Sequence, residues 1–383
     1  MFYDCLFGRK YIKKTVILHE KPPSAPPNIK FLLLLHTKQS QMNHVELLCR
    51  LIETPRYSRE ETDAADIVEA YMKSHGLSVM RQGNNLWSIH PAASGPTVLL
   101  NAHIDTVHPV STWTRNPHKA VIEGDYLYGL GSNDDGASLV SLLETFIQYS
   151  RKSLPYTLIM LVSAEEEVSG KNGIESVLPL LPPIDVAIVG EPTGMQPAIA
   201  EKGLMVVDVT AHGKAGHAAR DEGVNAIDIA VRDIIRIHSL PSHLKASPLL
   251  GPVKMTTTII HAGTQHNVIP GECTFTVDVR SNELYDNETL FNYICSEISS
   301  TAKARSFRLS SSSIDEHHPL VQKLLRMGKQ PFGSPTLSDQ ALMHFPSLKM
   351  GPGNSSRSHT ADEFILLSEI EDAIATYLSI LLD

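Results

Sequence analysis

Apolar strand-like segments alternate with helix-like segments along this chain, and that alternation limits the folds open to it. The strand-like segments are NLWSIH, TVLLNA, YTLIMLVSA and DVAIVGEP. Apolar residues at helical spacing occur before and between them, in MNHVELLCRLIETP, EETDAADIVEAYMKSHG, GASLVSLLETFIQYS and NGIESVLPLL. Apolar strands that alternate with helices form parallel sheets covered by helices on both faces. We therefore predict an α/β fold built on a doubly wound, mostly parallel sheet.

A second pattern, between residues 200 and 310, predicts an inserted domain. Strand-like segments at LMVVDVTAHG, VKMTTTIIHAG, CTFTVDVRS and SFRLSS surround helix-like segments at VNAIDIAVRDIIRIHSL and ETLFNYICSEISSTA. This β-α-β-β-α-β order is typical of a small split-βαβ domain of the ferredoxin-like α+β class. With 383 residues the chain is long enough for two domains. We predict that residues 42–199 and 311–383 form the larger one and that residues 200–310 form the smaller one.

The first 41 residues differ from the rest, and we predict that they are an extension outside the fold. Their basic residues, which far outnumber Asp4 and Glu20, are Arg9, Lys10, Lys13, Lys14, Lys21, Lys30 and Lys38. The proline-rich stretch KPPSAPPN interrupts them, and FLLLL is too short to span a membrane. The order of basic and apolar residues does not match a secretory signal peptide. The first helix with periodic apolar residues begins only at Met42.

The charge and the cysteine content exclude several kinds of partner and site. The formal net charge is −9 and no basic stripe is present, so we predict no nucleic-acid partner and no membrane partner. The cysteines have no CxxC spacing; they are Cys5, Cys49, Cys273 and Cys295. Such cysteines are typical of reduced thiols rather than of a disulfide framework or a thiolate metal site. They therefore predict a cytoplasmic protein.

Acidic and histidine side chains follow the predicted strands, where a doubly wound sheet carries its ligands. These side chains belong to His103, Asp105, Asp134, Asp135, Glu165, Glu166, Glu167, Glu191 and His359. So many carboxylates at one edge would repel one another, and a pair of divalent cations removes that repulsion. Imidazoles with carboxylates and without thiolates favour zinc or a related transition metal over calcium or magnesium. The sequence thus predicts a two-metal site.

Each of these residues has a predicted part in such a site. A two-metal site needs one bridging carboxylate and two further ligands per metal, a set supplied by His103, Asp134, Glu167, Glu191 and His359. Asp105, two residues beyond His103 on an extended chain, is predicted to accept the second imidazole N–H and to fix the tautomer. Glu166 is predicted to face the water between the metals, to take its proton and to pass it to a leaving amine.

Five motifs occur in the order and approximate spacing of a known family: NAHIDTV, GLGSNDDG, SAEEEVSG, VGEPT and SHTADEF. On these motifs, Met42 to Asp383 resembles the di-zinc amidohydrolases that include acetylornithine deacetylase, succinyl-diaminopimelate desuccinylase, aminoacylase and carboxypeptidase G. The resemblance implies that His103 and either Glu167 or Glu191 hold separate metals. It also implies that Asp134 bridges the two metals and that Glu166 is the general base.

The third motif departs from the family pattern in one place. The family often has Arg where Leu130 stands and Met-Lys where Asp135 and Gly136 stand. Asp135 is therefore an alternative bridging residue. Asp134 is the one that fits the Gly-x-Gly-x-x-Asp spacing, and we predict that it is the bridge.

The resemblance also assigns a function to the smaller domain. It implies a lid that forms a homodimer, with His217 of GKAGHAA reaching across the dimer to stabilise the oxyanion of the scissile amide. It further implies that Asn267 and Arg280 bind substrate, and the Arg280 guanidinium is suited to a carboxylate. Without the resemblance, His217 would be interpreted as a hydrogen-bonded surface histidine and Arg280 as half of an ordinary ion pair.

The resemblance predicts hydrolysis of the amide bond of an N-acyl amino acid, with two Zn²⁺ per subunit or Co²⁺ in their place. GEPTGMQPAIAEKG and SHTADEF look most like acetylornithine deacetylase of arginine biosynthesis and its relatives that act on acylated citrulline or lysine. The alternatives are a succinyl-diaminopimelate desuccinylase, a dipeptidase or carboxypeptidase, and a catalytically silent, metal-stabilised dimeric binding protein. The presence of Glu166 favours an enzyme.

Removal of residues 1–41 tests where the fold begins. A chain that starts at Met42 is expected to unfold at the same temperature as the full chain, because every periodic apolar segment follows that residue. Differential scanning calorimetry of the two proteins measures this. Insolubility of the shortened chain, or a midpoint several degrees lower, would show that the extension contributes to the fold.

Overall fold

A computed structural model describes residues 42–220 and 222–381. The predicted extension, residues 1–41, lies outside the described residues. None of the helices within the described ranges is both long enough and apolar enough to cross a membrane.

Each predicted helix-like segment contains a helix, and each predicted strand-like segment except SFRLSS contains a strand. The α-helices are α1 His44–Glu53, α2 Thr62–Ser74, α3 Ala137–Tyr149, α4 Ile174–Val177, α5 Ala226–Ser239, α6 Asn287–Glu297, α7 Pro319–Arg326 and α8 Leu367–Leu381. The first nine strands are β1 Met80–Gln82, β2 Asn85–His90, β3 Thr97–His103, β4 Val121–Glu123, β5 Tyr126–Tyr128, β6 Thr157–Ser163, β7 Val186–Val189, β8 Ala198–Glu201 and β9 Met205–His212. The others are β10 Gly216–His217, β11 Lys254–Ala262, β12 Val268–Ile269, β13 Glu272–Arg280, β14 Thr301–Ala304, β15 Ser312–Ser313, β16 Phe332–Ser334, β17 Ser347–Lys349 and β18 Phe364–Leu366.

The large sheet is mixed, with a parallel centre. Its strand order is β1-β2-β6-β3-β7-β17-β8-β15, and β16 pairs with β8. The pairs β6–β3, β3–β7 and β7–β17 are parallel, whereas β1–β2, β2–β6, β17–β8 and β8–β15 are antiparallel. The prediction of a mostly parallel sheet is correct for the centre, whereas the edge pairs are antiparallel except for β16, which runs parallel to β8. At one edge, Gly83 and Asn84 alone join β1 to β2, and a two-residue connection serves only antiparallel neighbours.

Two apolar cores cover the two faces of this sheet, because neighbouring residues of a strand point to opposite faces. Leu100 and Met160 belong to the core shared with α1, α2, α3 and α8. Leu99 and Leu161 belong to the core that includes Ile174 and Val177 of α4. The carboxyl ends of the central strands β3, β6 and β7 lie side by side at one edge of the sheet. The polar side chains of the site project from this edge.

A separate four-stranded sheet lies between β8 and β15 of the chain. Its order is β11-β13-β9-β14 and all its pairs are antiparallel, with α5 and α6 between strands in the sequence. This is the predicted β-α-β-β-α-β order. The predicted closing strand SFRLSS is wrong, because the last strand is β14 and α6 ends at Glu297. Ser299 and Ser300 donate backbone and hydroxyl hydrogen bonds to Asp233 of α5, which directs the chain out of the helix before β14.

Candidate metal centre

His103 is the last residue of β3, and its imidazole is buried at the parallel edge of the sheet. Nδ1 lies 3.0 Å from the backbone oxygen of Asp105 and 3.5 Å from Oδ1 of the same residue. Both neighbours are acceptors, so a proton on Nδ1 has a partner there and Nε2 is the nitrogen that faces the site. Nε2 lies 3.2 Å from Oδ1 of Asp134.

The Asp105 carboxylate organises more of the site than was predicted for it. Its Oδ1 accepts a hydrogen bond from the backbone N–H of Glu166 at 3.0 Å, and its Oδ2 accepts from that of Glu167 at 3.2 Å. Ser58, which sequence reasoning missed, donates its hydroxyl to Oδ2 at 2.7 Å. The closer partner of the His103 imidazole is therefore the backbone carbonyl of Asp105, while its carboxylate holds the segment that carries both glutamates.

That segment is a single 3-10 turn, Glu166–Val168, between two residues with left-handed backbone. Glu165 has φ 56° and Ser169 has φ 44°, so the chain turns sharply on both sides of the two glutamates. Glu166 and Glu167 consequently enter different groups of side chains. Ligand atoms of His103, Glu166 and Glu191 lie within 4.8 Å of one another, and so do those of His103, Asp134 and Glu167.

Asp134 lies between the two histidines. Its Oδ1 is 3.2 Å from His103 Nε2, and its Oδ2 is 3.7 Å from Nε2 of His359. Nε2 of His359 is also 3.0 Å from Oε2 of Glu167. The structure thus brings together all the residues predicted as ligands, with one oxygen of Asp134 toward each imidazole, as a bridging carboxylate requires.

Asp135 does not occupy that position. It is fully buried, and its Oδ2 accepts a hydrogen bond from the backbone N–H of His103 at 3.3 Å. Burial raises the pKa of Asp135 to about 7, an effect that Ser138 and His103 oppose and Asp134 reinforces. The side chain supports the end of β3 from beneath, so the geometry favours Asp134 as the bridge.

The electrostatics of the cluster fit a cation site. Burial raises the pKa of Glu166 well above its usual value, and the neighbouring Glu191 and Asp339 carboxylates raise it further. Burial likewise raises the pKa of Glu191, with Asp134 adding to the effect. Carboxylates held this close in a buried place are stabilised as anions by a divalent cation. The donors are imidazole nitrogens and carboxylate oxygens, a set that fits zinc or a similar transition metal.

Two buried residues that sequence reasoning missed hold the loops of the cluster. Glu363 accepts backbone N–H groups from Gly131 at 2.9 Å, Asn133 at 2.8 Å and Asp134 at 2.9 Å. Arg56 donates to the carbonyl oxygens of Ile104 at 2.5 Å and Gly131 at 2.8 Å. Glu363 lies in SHTADEF, where its spacing from His359 was a usable clue, whereas nothing around Arg56 in the sequence marks it.

The three residues predicted in the smaller domain lie apart from this cluster. A cavity of about 230 Å³ opens over the candidate metal ligands. None of the three residues of the smaller domain belongs to its described lining. His217 is exposed on β10, and its Nδ1 accepts from the backbone N–H of Ala219 at 3.1 Å. The Asn267 backbone oxygen accepts from Ala218 at 3.0 Å. Arg280 forms a two-point ion pair with Asp278, at 2.8 and 3.1 Å.

Comparisons with known proteins agree with this arrangement. A protein from Schizosaccharomyces pombe that contains a peptidase M20 domain is 26% identical over 351 residues, 88% of this chain and 83% of its own length. Acetylornithine deacetylase from Shigella sonnei is 29% identical over 364 residues, 84% of this chain and 92% of its own. A dinuclear metal-binding M20 peptidase from Bacillus subtilis has a similar fold, with a TM-score of 0.65 at 17% identity, covering 88% of this chain and 96% of its own. The model of peptidase family M20/M25/M40 matches residues 99–383, so this chain belongs to that family of metal-dependent hydrolases.

Proposed function

We propose that this protein hydrolyses the amide bond of an N-acyl amino acid with two divalent metal ions, Zn²⁺ or Co²⁺ in its place. The observation that carries the proposal is the position of Glu166, which shares one ligand group with His103 and Glu191 while the adjacent Glu167 shares the other. A glutamate so placed, beyond the ligands that the metals need, is available for proton transfer. Its presence supports a hydrolase over a silent binding protein.

His103 and Glu191, which share a ligand group, would hold one metal. Glu167 and His359, whose Oε2 and Nε2 lie 3.0 Å apart, would hold the other, and Asp134 would contact both. When bound, the metals would supply the positive charge that polarises the scissile carbonyl and lowers the pKa of the attacking water. The protein's own contribution is to hold these donors at fixed positions around a cavity.

Glu166 would move the proton in this reaction. Its carboxylate would take a proton from the attacking water and return it to the nitrogen of the leaving amine, so that the residue ends in its starting state. Burial of Glu166 raises its pKa, and the neighbouring carboxylates raise it further, which favours uptake of the proton from the water. Asp105 would fix the position of Glu166 through the backbone N–H at 3.0 Å.

Replacement of Glu166 by glutamine tests this assignment. The variant Glu166→Gln is expected to retain the wild-type metal content and to lose a factor of about 10² to 10⁴ in kcat, since it keeps the size of the side chain and removes the base. Atomic emission and steady-state kinetics measure the two quantities. The matched control is Glu165→Gln, whose side chain accepts from Asn172 and lies in neither ligand group. A Glu166→Gln protein with near-normal kcat contradicts the proposal.

Glu363 is proposed as a positioning residue for the bridging carboxylate. Its two carboxylate oxygens accept hydrogen bonds from three backbone N–H groups of the loop that ends at Asp134. Within the described residues, Asp134 is the one proposed ligand to which Glu363 is hydrogen-bonded. In glutamine, an NH₂ group would replace one acceptor and would face N–H donors. Mutation of a residue that orients a metal ligand in this way typically lowers the metal affinity 10- to 100-fold.

Glu363→Gln is therefore expected to weaken metal binding by about 10- to 100-fold. Competition with a chromogenic chelator measures the apparent Kd for the metal. Thermal unfolding of the metal-free protein shows whether the substitution has also lowered the stability of the fold. Glu371→Gln is the control, because Glu371 is an exposed residue that contacts His44. Equal metal affinity in Glu363→Gln and the control would remove Glu363 from the site.

The smaller domain is proposed to form a homodimer. Among the described residues its edge strand β11 pairs only with β13, and Ile259 and Ile260 on this strand are about half exposed. Ile235 of α5, which packs against β11, is 65% exposed. An edge strand with exposed branched apolar residues is a surface that pairs readily with another chain. A second copy of the chain would cover it.

His217 is proposed to act in the site of the neighbouring subunit. It is exposed and lies outside the cavity over the metal residues. In a dimer its imidazole would donate a hydrogen bond to the oxyanion that develops on the scissile carbonyl. Loss of one such donor typically costs about 2.7–4 kcal/mol of transition-state stabilisation, which is 10² to 10³ in kcat.

Mixed dimers test this shared site. His217→Ala and Glu166→Gln subunits are each expected to be nearly inactive, yet a mixed dimer has one site with both defects and one with neither. Activity should therefore reappear, at about half the wild-type value per mixed dimer, once mass spectrometry confirms subunit exchange. If exchange is complete and no activity returns, His217 serves its own subunit or none.

A further inference from the structure

A second cavity lies beside the cavity over the metal residues and is larger, at about 310 Å³. The two share Glu191, Pro192, Thr336 and Ser355, so a substrate held at the metal residues can extend from one into the other. Its volume exceeds what an acetyl group needs and suits a longer chain of the substrate. The chemistry of its walls therefore bears on which N-acyl amino acids the protein accepts.

One wall contains a buried lysine whose donors are all in use. Nζ of Lys349 donates to the backbone oxygen and to Oγ1 of Thr336, each at 3.0 Å, and lies 3.1 Å from Oε2 of Glu201. Lys349 is 2% exposed and Glu201 is 0% exposed. Ser338 completes the partners of Glu201 by donating its hydroxyl at 2.7 Å and its backbone N–H at 3.3 Å.

This pair sets the charge of the wall. Burial alone would lower the pKa of Lys349, but Glu201 raises it above its usual value, so the lysine stays an ammonium ion at neutral pH. The ammonium is compensated by Glu201 and saturated with hydrogen bonds. It therefore offers no free donor to a substrate carboxylate. Because Lys349 lines the cavity and Glu201 does not, a second cation placed there would lie nearer to the ammonium than to its partner and would be repelled.

The rest of the described lining carries no charge that could pair with a substrate cation. Its one other ionisable residue is Glu191, which the proposed function assigns to a metal. Phe332 and Pro335 contribute apolar surface, whereas Thr193 and Asn354 contribute uncharged polar groups. An ammonium group that entered would leave water without gaining a carboxylate partner, and that transfer is unfavourable.

We infer that this cavity receives an uncharged chain of the substrate and discriminates against a chain that ends in an ammonium group. The inference rests on the proposed amide hydrolysis and narrows its substrate class. The chain can be the amino-acid side chain or the acyl group, since both extend from the scissile amide. Derivatives of the citrulline type are thus favoured over those of ornithine or lysine if the side chain occupies the cavity.

Two matched substrate pairs decide which part occupies the cavity. N-acetyl-L-citrulline and N-acetyl-L-ornithine differ in the charge of the side chain, and N-pentanoyl-L-alanine and N-(5-aminopentanoyl)-L-alanine differ in that of the acyl chain. In one pair, kcat/KM of the uncharged compound is expected to exceed that of the ammonium compound by about tenfold or more. The inference is overturned if neither pair shows this preference, whether the two kcat/KM values within a pair are equal or the ammonium compound has the higher one.

A single-charge variant tests the cause of the discrimination. Asn354→Asp adds a carboxylate to the cavity and keeps an acceptor for the backbone N–H of Ser356, which Asn354 holds at 2.9 Å. The variant is expected to reduce the ratio of kcat/KM for the uncharged compound to kcat/KM for the ammonium compound about fivefold, because the new carboxylate can form a partly exposed ion pair with the ammonium group. The control is Asn116→Asp, which makes the same kind of bond to His118 at 2.9 Å and lies outside the cavity. An equal ratio in both variants contradicts the inference.

Binding measurements separate this inference from the proposed function. Calorimetric titration of Glu166→Gln with the four compounds gives their Kd values without turnover, and the same preference for one uncharged compound is expected. If the wild-type protein hydrolyses none of the four, the proposed function fails, and the Kd ratios still decide the inference. Equal Kd values within both pairs overturn it.

Discussion

Mutual repulsion among partly buried carboxylates is the constraint around which this structure is arranged. Asp134, Glu166, Glu167 and Glu191 meet around a cavity at the carboxyl edge of three parallel strands, where water screens their charges incompletely. Hydrogen-bond donors hold them there. Asp105 and Glu363, themselves carboxylates, receive backbone N–H groups and so fix the segments that carry the ligands without adding a free anion to the cluster. The imidazoles of His103 and His359 then separate the remaining charges.

Much of the site was predictable because its geometry follows from the strand pattern. Parallel strands end at one edge, so His103 at the end of β3 and Glu191 just after β7 had to lie near each other once the strands were recognised. The spacing of the glycine-rich turn was enough to choose Asp134 over Asp135, and the buried position of Asp135 agrees with that choice. The placement of His103 and Glu191 needed only the order of the strands, whereas the choice of Asp134 also used the spacing of the family pattern.

Other features could not be predicted, since they depend on contacts between distant segments. Arg56 binds loops that follow it by 48 and 75 residues, and no local pattern announces such a contact. The Lys349–Glu201 ion pair could not be predicted for the same reason, because in the sequence each residue resembles an ordinary surface charge. In the smaller domain the hydrogen bonds from Ser299 and Ser300 to Asp233 ended a helix whose apolar pattern continued. Contacts of this kind override local preference.

The segment from His359 to Glu363 supplies one imidazole and also holds the loop of Asp134, although Glu363 follows Asp134 by 229 residues. Synthesis proceeds from the amino terminus, so β3, α3 and β6 leave the ribosome long before this segment does. Until then the cluster lacks one imidazole, and Glu363 does not yet hold the loop of Asp134. Completion of the cluster, and with it the proposed metal binding, therefore waits for this segment, and a chain interrupted before His359 would carry an incomplete cluster.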